Sequence, residues 1–474
     1  MTTTPTHINL EYLGSDSRFF YFEKVVDQAF ALLLDSGGNF TADAQPLAKN
    51  NRYDIILVEP AEVLVSQDNE HKIIDCQSKK ETIIDDCFAQ MSRWQKHYVD
   101  TNNLNTFADS LPFNGGLAGA FAYDMGRQLE QLPQQAANEL PIADCVVGLY
   151  LSALIIDHQK QTVTLYNFAE SAENFERIVQ YFCGTRPHCF EFQLTSDWQS
   201  NMSADDYFER FHQVKNYIKS GDCYQVNLAQ RFSASFTGSA WAAYRHLSDK
   251  NKAPFSAFMN IPDGQILSLS PERFLQIAGR QVLTQPIKGT RPRSDDPNID
   301  KALAEELASS EKDMAENVMI VDLLRNDLGR TATPGSVKVT ELFGLYSFPS
   351  VHHLISTVVS EIDETTSAAE VLKESFPGGS ITGAPKIRAM EIIEELEPHR
   401  RHFYCGSVGY IDFQNNMDTS ITIRTLICHN ERIYTWAGGG LVDDSQQQLE
   451  YEETFAKLSR ILPELNHPLC FNKE

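Results

Sequence analysis

The sequence runs to 474 residues, 42% hydrophobic and 22% charged, enough for two or three domains or one large composite core of ordinary globular composition. A formal net charge of −24 excludes the Lys/Arg footprint with which proteins displace counterions from nucleic acid or dock on an anionic membrane. A small anionic ligand stays admissible, because local cations or a metal can reverse the field in one pocket.

The N-terminal stretch Met1 to Leu10 has no basic segment followed by an apolar core, so no signal peptide is expected. Nine cysteines are scattered singly from Cys76 to Cys470 without a CxxC pair. That argues against a disulfide framework or a zinc site and for a reducing cytoplasm. Tyr53 to Val58 reads as a strand that ends at Pro60, and the longest apolar stretch, Cys145 to Ile156, as buried strand too short to span a bilayer. After a polar segment near Thr195 to Asn201, Ser203 with Asp206 resembles a capping box. Phe208, Phe211, Val214 and Ile218 then recur at helical spacing, Gly221 ends the helix, and Tyr224 to Phe232 reads as a strand. This divides the chain into a domain over residues 1–156, a connection over 157–202 and a second domain over 203–465.

Further helices are expected in blocks between about 300 and 328 and from about 449 to 462. Between them, Gly406 to Leu441 looks like an antiparallel meander with turns at Gln414-Asn415-Asn416 and His429-Asn430-Glu431, and a middle strand from Ile421 to Ile427. Antiparallel strands with segregated helices predict an α+β fold, with sheets packed face to face and flanked by helices.

Two helical segments carry paired acids. Asp313 and Glu316 share a face, with Met314, Val318, Val321 and Leu328 near the opposite side. Glu450, Glu453 and Lys457 share another, beside an apolar stripe of Tyr451, Phe455, Leu458 and Ile461 or Leu462. Either face alone reads as solvated; if the two meet, they form a hard-cation site of the kind magnesium takes. The run Gly378 to Lys386 fails the P-loop template, because Ala384 and Pro385 separate the last glycine from the lysine. It reads as a tight turn before a helix, or as backbone N–H groups facing an anion. Ala437 to Gly440 reads as a turn or bulge after a strand, or as a close backbone approach to a ligand. Arg424 alternates with Ile421, Ile423 and Ile427, so it points away from their face, toward a surface ion pair or a bound carboxylate. His352 and His353 diverge, and His399 and His402 fall in a charged turn expected to be exposed, so the histidines form no metal set. Neither a Gly-x-Ser-x-Gly elbow nor a Cys–His nucleophile pair is evident.

Several runs occur together and in order: Ser270-Pro271-Glu272-Arg273-Phe274, Pro286-Ile287-Lys288-Gly289-Thr290-Arg291-Pro292-Arg293, and Ala315-Glu316 leading into Ile320 to Arg330. Gly379 to Lys386, Arg424, Ala437 to Gly440 and Glu450-Tyr451-Glu452-Glu453 follow, and Gly115 to Asp124 precedes them. The whole resembles the chorismate-utilising enzymes, a family of anthranilate, aminodeoxychorismate, isochorismate and salicylate synthases. The resemblance is strong from about residue 203 to 462 and implies that 203–465 is the chorismate-binding catalytic domain. It also implies that Glu316 and Glu453 hold magnesium, with Asp313 and Glu450 as outer ligands or holding its waters. Arg424, Lys457, Thr382, His353 and the backbone of Gly438, Gly439 and Gly440 would bind chorismate.

Two positions choose among the branches. Anthranilate synthases carry a small residue where Lys288 stands, and the water-adding branches carry a lysine where this chain has Gln225. The pattern is therefore that of the branch converting chorismate and ammonia to 4-amino-4-deoxychorismate, for p-aminobenzoate and folate. Lys288 would be a covalent nucleophile and Glu272 the general acid. The alternatives are anthranilate formation and a non-catalytic chorismate-binding subunit. No glutaminase signature is present, so a separate glutamine amidotransferase subunit is implied as the ammonia source. In relatives a further pocket holds tryptophan, and its matching positions are Ser36, Asn50, Asn51, Arg52, Tyr53, Pro254, Phe255 and Ser256. Asp35-Ser36 departs from the Glu-Ser pair of feedback-regulated relatives, which leaves a structural tryptophan or an empty cleft as the expectation.

Overall fold

A computed structural model describes residues 6–38, 52–100, 104–107, 111–185, 189–348 and 351–472. Asn50 and Asn51 lie outside these. Two large antiparallel sheets, of fourteen and twelve strands among the described residues, pack face to face with helices outside them. The α+β expectation holds. The middle of the first sheet runs Leu32–Asp35, Phe255–Ile261, Gly264–Ser270, Thr425–His429, Arg432–Leu441, Gln225–Gly238. The middle of the second runs Gln281–Thr284, Arg273–Ala278, Met417–Ile421, Ser407–Asp412, Gly116–Phe121, Cys145–Tyr150. Both sheets thus interleave strands from before residue 157 with strands from after residue 203.

The core lies between the sheets. Leu32, Ile55, Met259 and Ile266 of the first meet Val65, Leu117, Val147 and Val408 of the second, all buried. A second core covers the first sheet's outer face beneath the helices Ala172–Cys183 and Ala240–Asn251, with Phe175, Trp241 and Phe258 in it. The helix Ala204–Ser220 starts on a complete Ser203/Asp206 capping box and stops at Gly221, whose φ of 82° is the left-handed cap that glycine tolerates without a Cβ clash.

The chain repeatedly leaves one sheet for the other within a few residues, and here sequence expectation and structure part. Cys145 to Ile156 is two strands: Cys145–Tyr150 belongs to the second sheet and Ser152–Asp157 to the first, with Leu151 between them. The expected middle strand from Ile421 to Ile427 is likewise broken. Met417–Ile421 lies in the second sheet and Thr425–His429 in the first, so Arg424 sits at the crossing with a φ of 51° and outside any strand. A continuous run of β-forming residues does not record which sheet it joins. Pro271 and Glu272 form a third crossing, between Gly264–Ser270 and Arg273–Ala278. These last two crossings are hydrogen-bonded side by side. Ile421 N–H donates to the Glu272 carbonyl (3.1 Å), and Leu269 N–H donates to the Arg424 carbonyl (3.2 Å).

Three smaller corrections follow from the same packing. Ala437 to Gly440 is part of the long strand Arg432–Leu441 and makes no turn. His402 is buried, with its N–H against Asp124 (2.8 Å), a partner from far away in sequence. Phe455 does not complete an apolar stripe, being 41% exposed, although its ring meets Phe232 at 5.3 Å.

Candidate active site

The two expected catalytic residues come together because the Pro271-Glu272 crossing abuts the strand Ile287–Pro292. Glu272 is buried; it accepts a hydrogen bond from the Ser380 hydroxyl (3.0 Å) and another from Ile287 N–H. Burial pushes its carboxyl up to about 6, against the opposing pull of Lys288, the two hydrogen bonds and Lys457. Lys288 follows Ile287 in that strand. Burial lowers the pKa of its ammonium, while Glu316 and Glu272 partly restore it and Lys457 lowers it further. A carboxyl inclined to keep its proton thus faces an amine inclined to lose one, the pairing an acid and a nucleophile require.

Gly289 sets the distance between this strand and the first acidic helix. Its φ is 80°, and a Cβ there would stand 2.8 Å from Leu307 Cδ1 and 3.0 Å from Asp313 Cγ. A side chain there would have to displace the Leu307 and Asp313 side chains, and the positive φ disfavours any residue but glycine. That helix, Glu311–Gly329, begins on Ser310, whose hydroxyl accepts from Asp313 N–H (3.3 Å), and it projects Glu316 toward the site. Across the cleft, the helix Gln447–Lys457 packs on the strand Arg432–Leu441. Glu450 is buried and accepts from Ser445 Oγ (2.7 Å). Glu453 pairs with Lys457 (2.7 Å), and the lysine donates to the Gly438 carbonyl (2.8 Å). Gly439 lies under these acids: a Cβ there would be 3.0 Å from Glu450 Oε2 and 3.6 Å from Glu453 Oε1.

The expected acids therefore converge on one cleft, but in unequal states. Burial raises Glu316, tempered by Lys288 and Lys312 and reinforced by Asp313 and Glu450. Burial also raises Glu450, which the Ser445 bond opposes and Glu453 reinforces. For Glu453 burial acts in the same direction, but Lys457 outweighs it, and that carboxyl ends below its ordinary range. Asp313 is engaged by Arg291 (3.3 Å). The donors are hard carboxylate oxygens whose like charges repel, which suits a divalent cation such as magnesium. Among the described residues no three of these four bring carboxylate oxygens within 4.8 Å of one another.

Arg424 and His353 form the cationic side. His353 is buried and shares a hydrogen bond with the Thr290 hydroxyl (2.9 Å); burial, then the Arg424 charge, pulls it down to about 4, so it is neutral. Burial and the charge of Arg460 lower Arg424. No carboxylate of the described residues acts on its guanidinium, and a bidentate fork of this kind suits a bound carboxylate. Thr382 is fully buried, but its hydroxyl donates to the carbonyls of Gly378 and Gly379 (3.2 and 3.3 Å), inside its own turn.

The turn carrying Ser380 and Thr382 is held by a buried pair that the sequence reading missed. Glu397 and Arg401 form an ion pair; the arginine also bonds the carbonyls of Ile381 (3.0 Å) and Asn227 (2.8 Å), and the glutamate takes Ala229 N–H (2.9 Å). An E-x₃-R spacing at a helix end was the only signal, and such pairs are mostly solvated. Lys386 and Asp327 (2.8 Å) tie the following helix to the helix bearing Glu316.

A separate cavity lies between the sheets, lined by Asp35, Ser36, Tyr53, Pro254, Phe255 and Ser256 on one side and Tyr410, Asp418 and Thr419 on the other. The described positions expected to hold tryptophan meet there, except Arg52, which turns away to pair with Asp157 (2.7 Å). Arg273, next to Glu272, forms part of its surroundings: it pairs with Asp418 (2.8 Å) and lies 4.9 Å from the Phe255 ring centre.

A fold of two packed antiparallel sheets with this acid, lysine and carboxylate set places the protein in a known class: the chain belongs to the chorismate binding enzyme family, whose model matches residues 41–463. It is 46% identical over 469 residues to aminodeoxychorismate synthase component 1 of Salmonella typhimurium, covering 99% of each chain. To the Escherichia coli protein of the same name it is 47% identical over 466 residues, covering 98% of this chain and 99% of that one. Among solved structures, anthranilate synthase component I from Streptococcus pneumoniae aligns with a TM-score of 0.76 at 29% identity, over 90% of this chain and 94% of that one.

Proposed function

We propose that this chain aminates chorismate at C4, making 4-amino-4-deoxychorismate for p-aminobenzoate and folate, as the chorismate-converting component of an aminodeoxychorismate synthase. The observation that carries the reading is Lys288 beside Glu272 in the acidic cleft, together with near-half identity over the full length of proteins bearing that name. Lys288 Nζ attacks C2, the two ring double bonds each shift by one position, and the C4–O bond breaks. Glu272 gives its proton to the departing hydroxyl, which leaves as water. Ammonia then bonds to C4, the double bonds shift back, and the C2–N bond breaks to release the lysine. The covalent step divides one difficult substitution into two easier ones.

Glu316 and Glu453 would hold a magnesium ion, with Asp313 and Glu450 around it, and the ion would neutralise a substrate carboxylate. Arg424, Lys457 and the backbone of Gly438 to Gly440 would bind the carboxylates, with neutral His353 at the ring edge. A glutamine amidotransferase partner would supply ammonia. The cavity at Ser36 and Tyr53 would take tryptophan, which calorimetry should detect as saturable heat; its absence would leave the cavity without that ligand.

The decisive experiment incubates purified chain with chorismate, magnesium and ammonium and identifies the product. Aminodeoxychorismate is expected. Fluorescent anthranilate with released pyruvate would assign the chain to the anthranilate branch instead, and unchanged chorismate would make it a binding subunit. Among the described residues no helix is long and apolar enough to cross a membrane, and the reaction belongs in the cytoplasm.

A further inference from the structure

Cysteine is among the most buried of residue types, yet three of the nine here are exposed, and two of those three meet. The strand Cys189–Leu194 lies beside Leu469–Asn472 at one edge of the first sheet, antiparallel, with Glu191 directly opposite Cys470. Cys189 stands two residues before Glu191 and so shares its face of the sheet. All three side chains are on the surface. Cys189 Sγ and Cys470 Sγ are 3.6 Å apart, and each lies 3.8 Å from the same oxygen, Glu191 Oε1.

These distances describe one face of a metal tetrahedron. With Zn–S bonds of about 2.3 Å and a Zn–O bond of about 2.0–2.2 Å, tetrahedral angles put two sulfurs about 3.8 Å apart and each sulfur about 3.5–3.7 Å from the oxygen. Among the described residues no other three His, Cys, Asp or Glu side chains bring ligand atoms within 4.8 Å of one another. The donors select the ion: two sulfurs favour a thiophilic cation over magnesium or calcium, which take oxygen. Glu191 distinguishes the set from a redox pair. Its negative charge is a third donor for a cation, but it repels the thiolate through which a disulfide would form. No CxxC spacing signals the set, because its two sulfurs lie 281 residues apart in the chain.

We propose that Cys189, Glu191 and Cys470 bind a thiophilic divalent cation of the zinc type, at a site that shares no residue with the acidic cleft. The ion bonds to both sulfurs and to one Glu191 oxygen, with water as its fourth ligand. Each S–H bond gives its proton to solvent as a metal–sulfur bond replaces it, and no electron changes hands. The ion joins Leu469–Asn472 to its neighbour in the sheet, Cys189–Leu194. Because it binds the folded arrangement of these strands, its loading sets how firmly that edge of the sheet is held.

The test titrates the reduced full-length protein with zinc chloride against a chromogenic zinc chelator, with excess magnesium present to compete at carboxylate oxygens. Wild type should take up one more zinc than Cys189→Ser or Cys470→Ser, and Glu191→Gln should bind that ion about tenfold more weakly or worse. Cobalt chloride should give thiolate-to-metal charge-transfer absorption in wild type and in Cys183→Ser, which removes the third exposed thiol, and should lose it in Cys470→Ser. Amide hydrogen exchange in Leu469–Asn472 should slow when zinc is added to wild type, and should not respond in Cys470→Ser. Equal zinc uptake by wild type and Cys470→Ser, or cobalt absorption that survives that substitution, would overturn the assignment. So would a Cys189–Cys470 disulfide in freshly purified protein, which would make the pair a redox one.

Discussion

Replacing Glu272 by glutamine keeps the shape of the side chain and its acceptor for the Ser380 hydroxyl, but removes the proton that the proposed mechanism takes from it. The structure predicts opposite effects on stability and on rate. The folded carboxyl titrates at about 6 against an ordinary 4.5, so the protonated form is favoured in the native chain. Holding the anion there costs ~2 kcal/mol of stability, the free-energy equivalent of that displacement. The cost applies in full above the folded value and disappears below the unfolded one, where both states carry the proton. Glutamine is neutral throughout. Glu272→Gln should therefore be more stable than wild type by ~2 kcal/mol at pH 7.5, with the gap closing through pH 6 and gone near pH 4.5. Lys288 keeps Glu316 as an acidic neighbour, so the substitution does not strand it. Urea unfolding of both proteins across this range measures the difference, while turnover with ammonium should drop roughly 10²–10⁴-fold, the usual contribution of a general acid. A variant less stable than wild type at pH 7.5, or a gap independent of pH, would refute the account of how burial raises the Glu272 carboxyl.

Lys288→Met should abolish the covalent chorismate adduct in intact-mass spectra; an adduct persisting in that variant would remove the lysine from the mechanism. Glu316→Gln and Glu453→Gln should each raise the magnesium concentration for half-maximal turnover by about tenfold or more, a loss seen even for outer-sphere partners. A wild-type magnesium titration in either would count against its role as a ligand. Arg401→Met leaves Glu397 buried without its partner and should cost ~3–5 kcal/mol in urea unfolding, while adding Glu397→Gln should restore much of the loss. Equal stability of the single and double variants would show that the pair does not hold the turn.

Local chemistry was readable where it is local. The Ser203/Asp206 cap, the Gly221 stop and the asparagine turn near 415 depend on neighbours within a few residues, and they appear as expected. The acids, Lys288 and Arg424 could be gathered only through the order of motifs, because nothing in their spacing says that two distant helices face one strand. What stayed hidden depends on partners far along the chain. Arg424 read as a strand residue because its neighbours are β-formers, yet its position comes from a change of sheet. His402 read as exposed because its sequence neighbours are charged, while the residue that covers it is Asp124. Thr382 read as a substrate contact by motif alone, and its hydroxyl is spent on the turn that positions Ser380.

The interleaving of the two sheets also governs how the protein is made. Gly116–Phe121 is flanked on one side by Cys145–Tyr150 and on the other by Ser407–Asp412. That second neighbour leaves the ribosome roughly 290 residues later, a delay of about 15–60 s at ordinary synthesis rates. Leu32–Asp35 waits in the same way for Phe255–Ile261. The nascent N-terminal half therefore carries apolar strands with open edges for tens of seconds, in the form most prone to pair with another chain. Its yield in the cell will follow translation speed and chaperone supply as closely as it follows native stability.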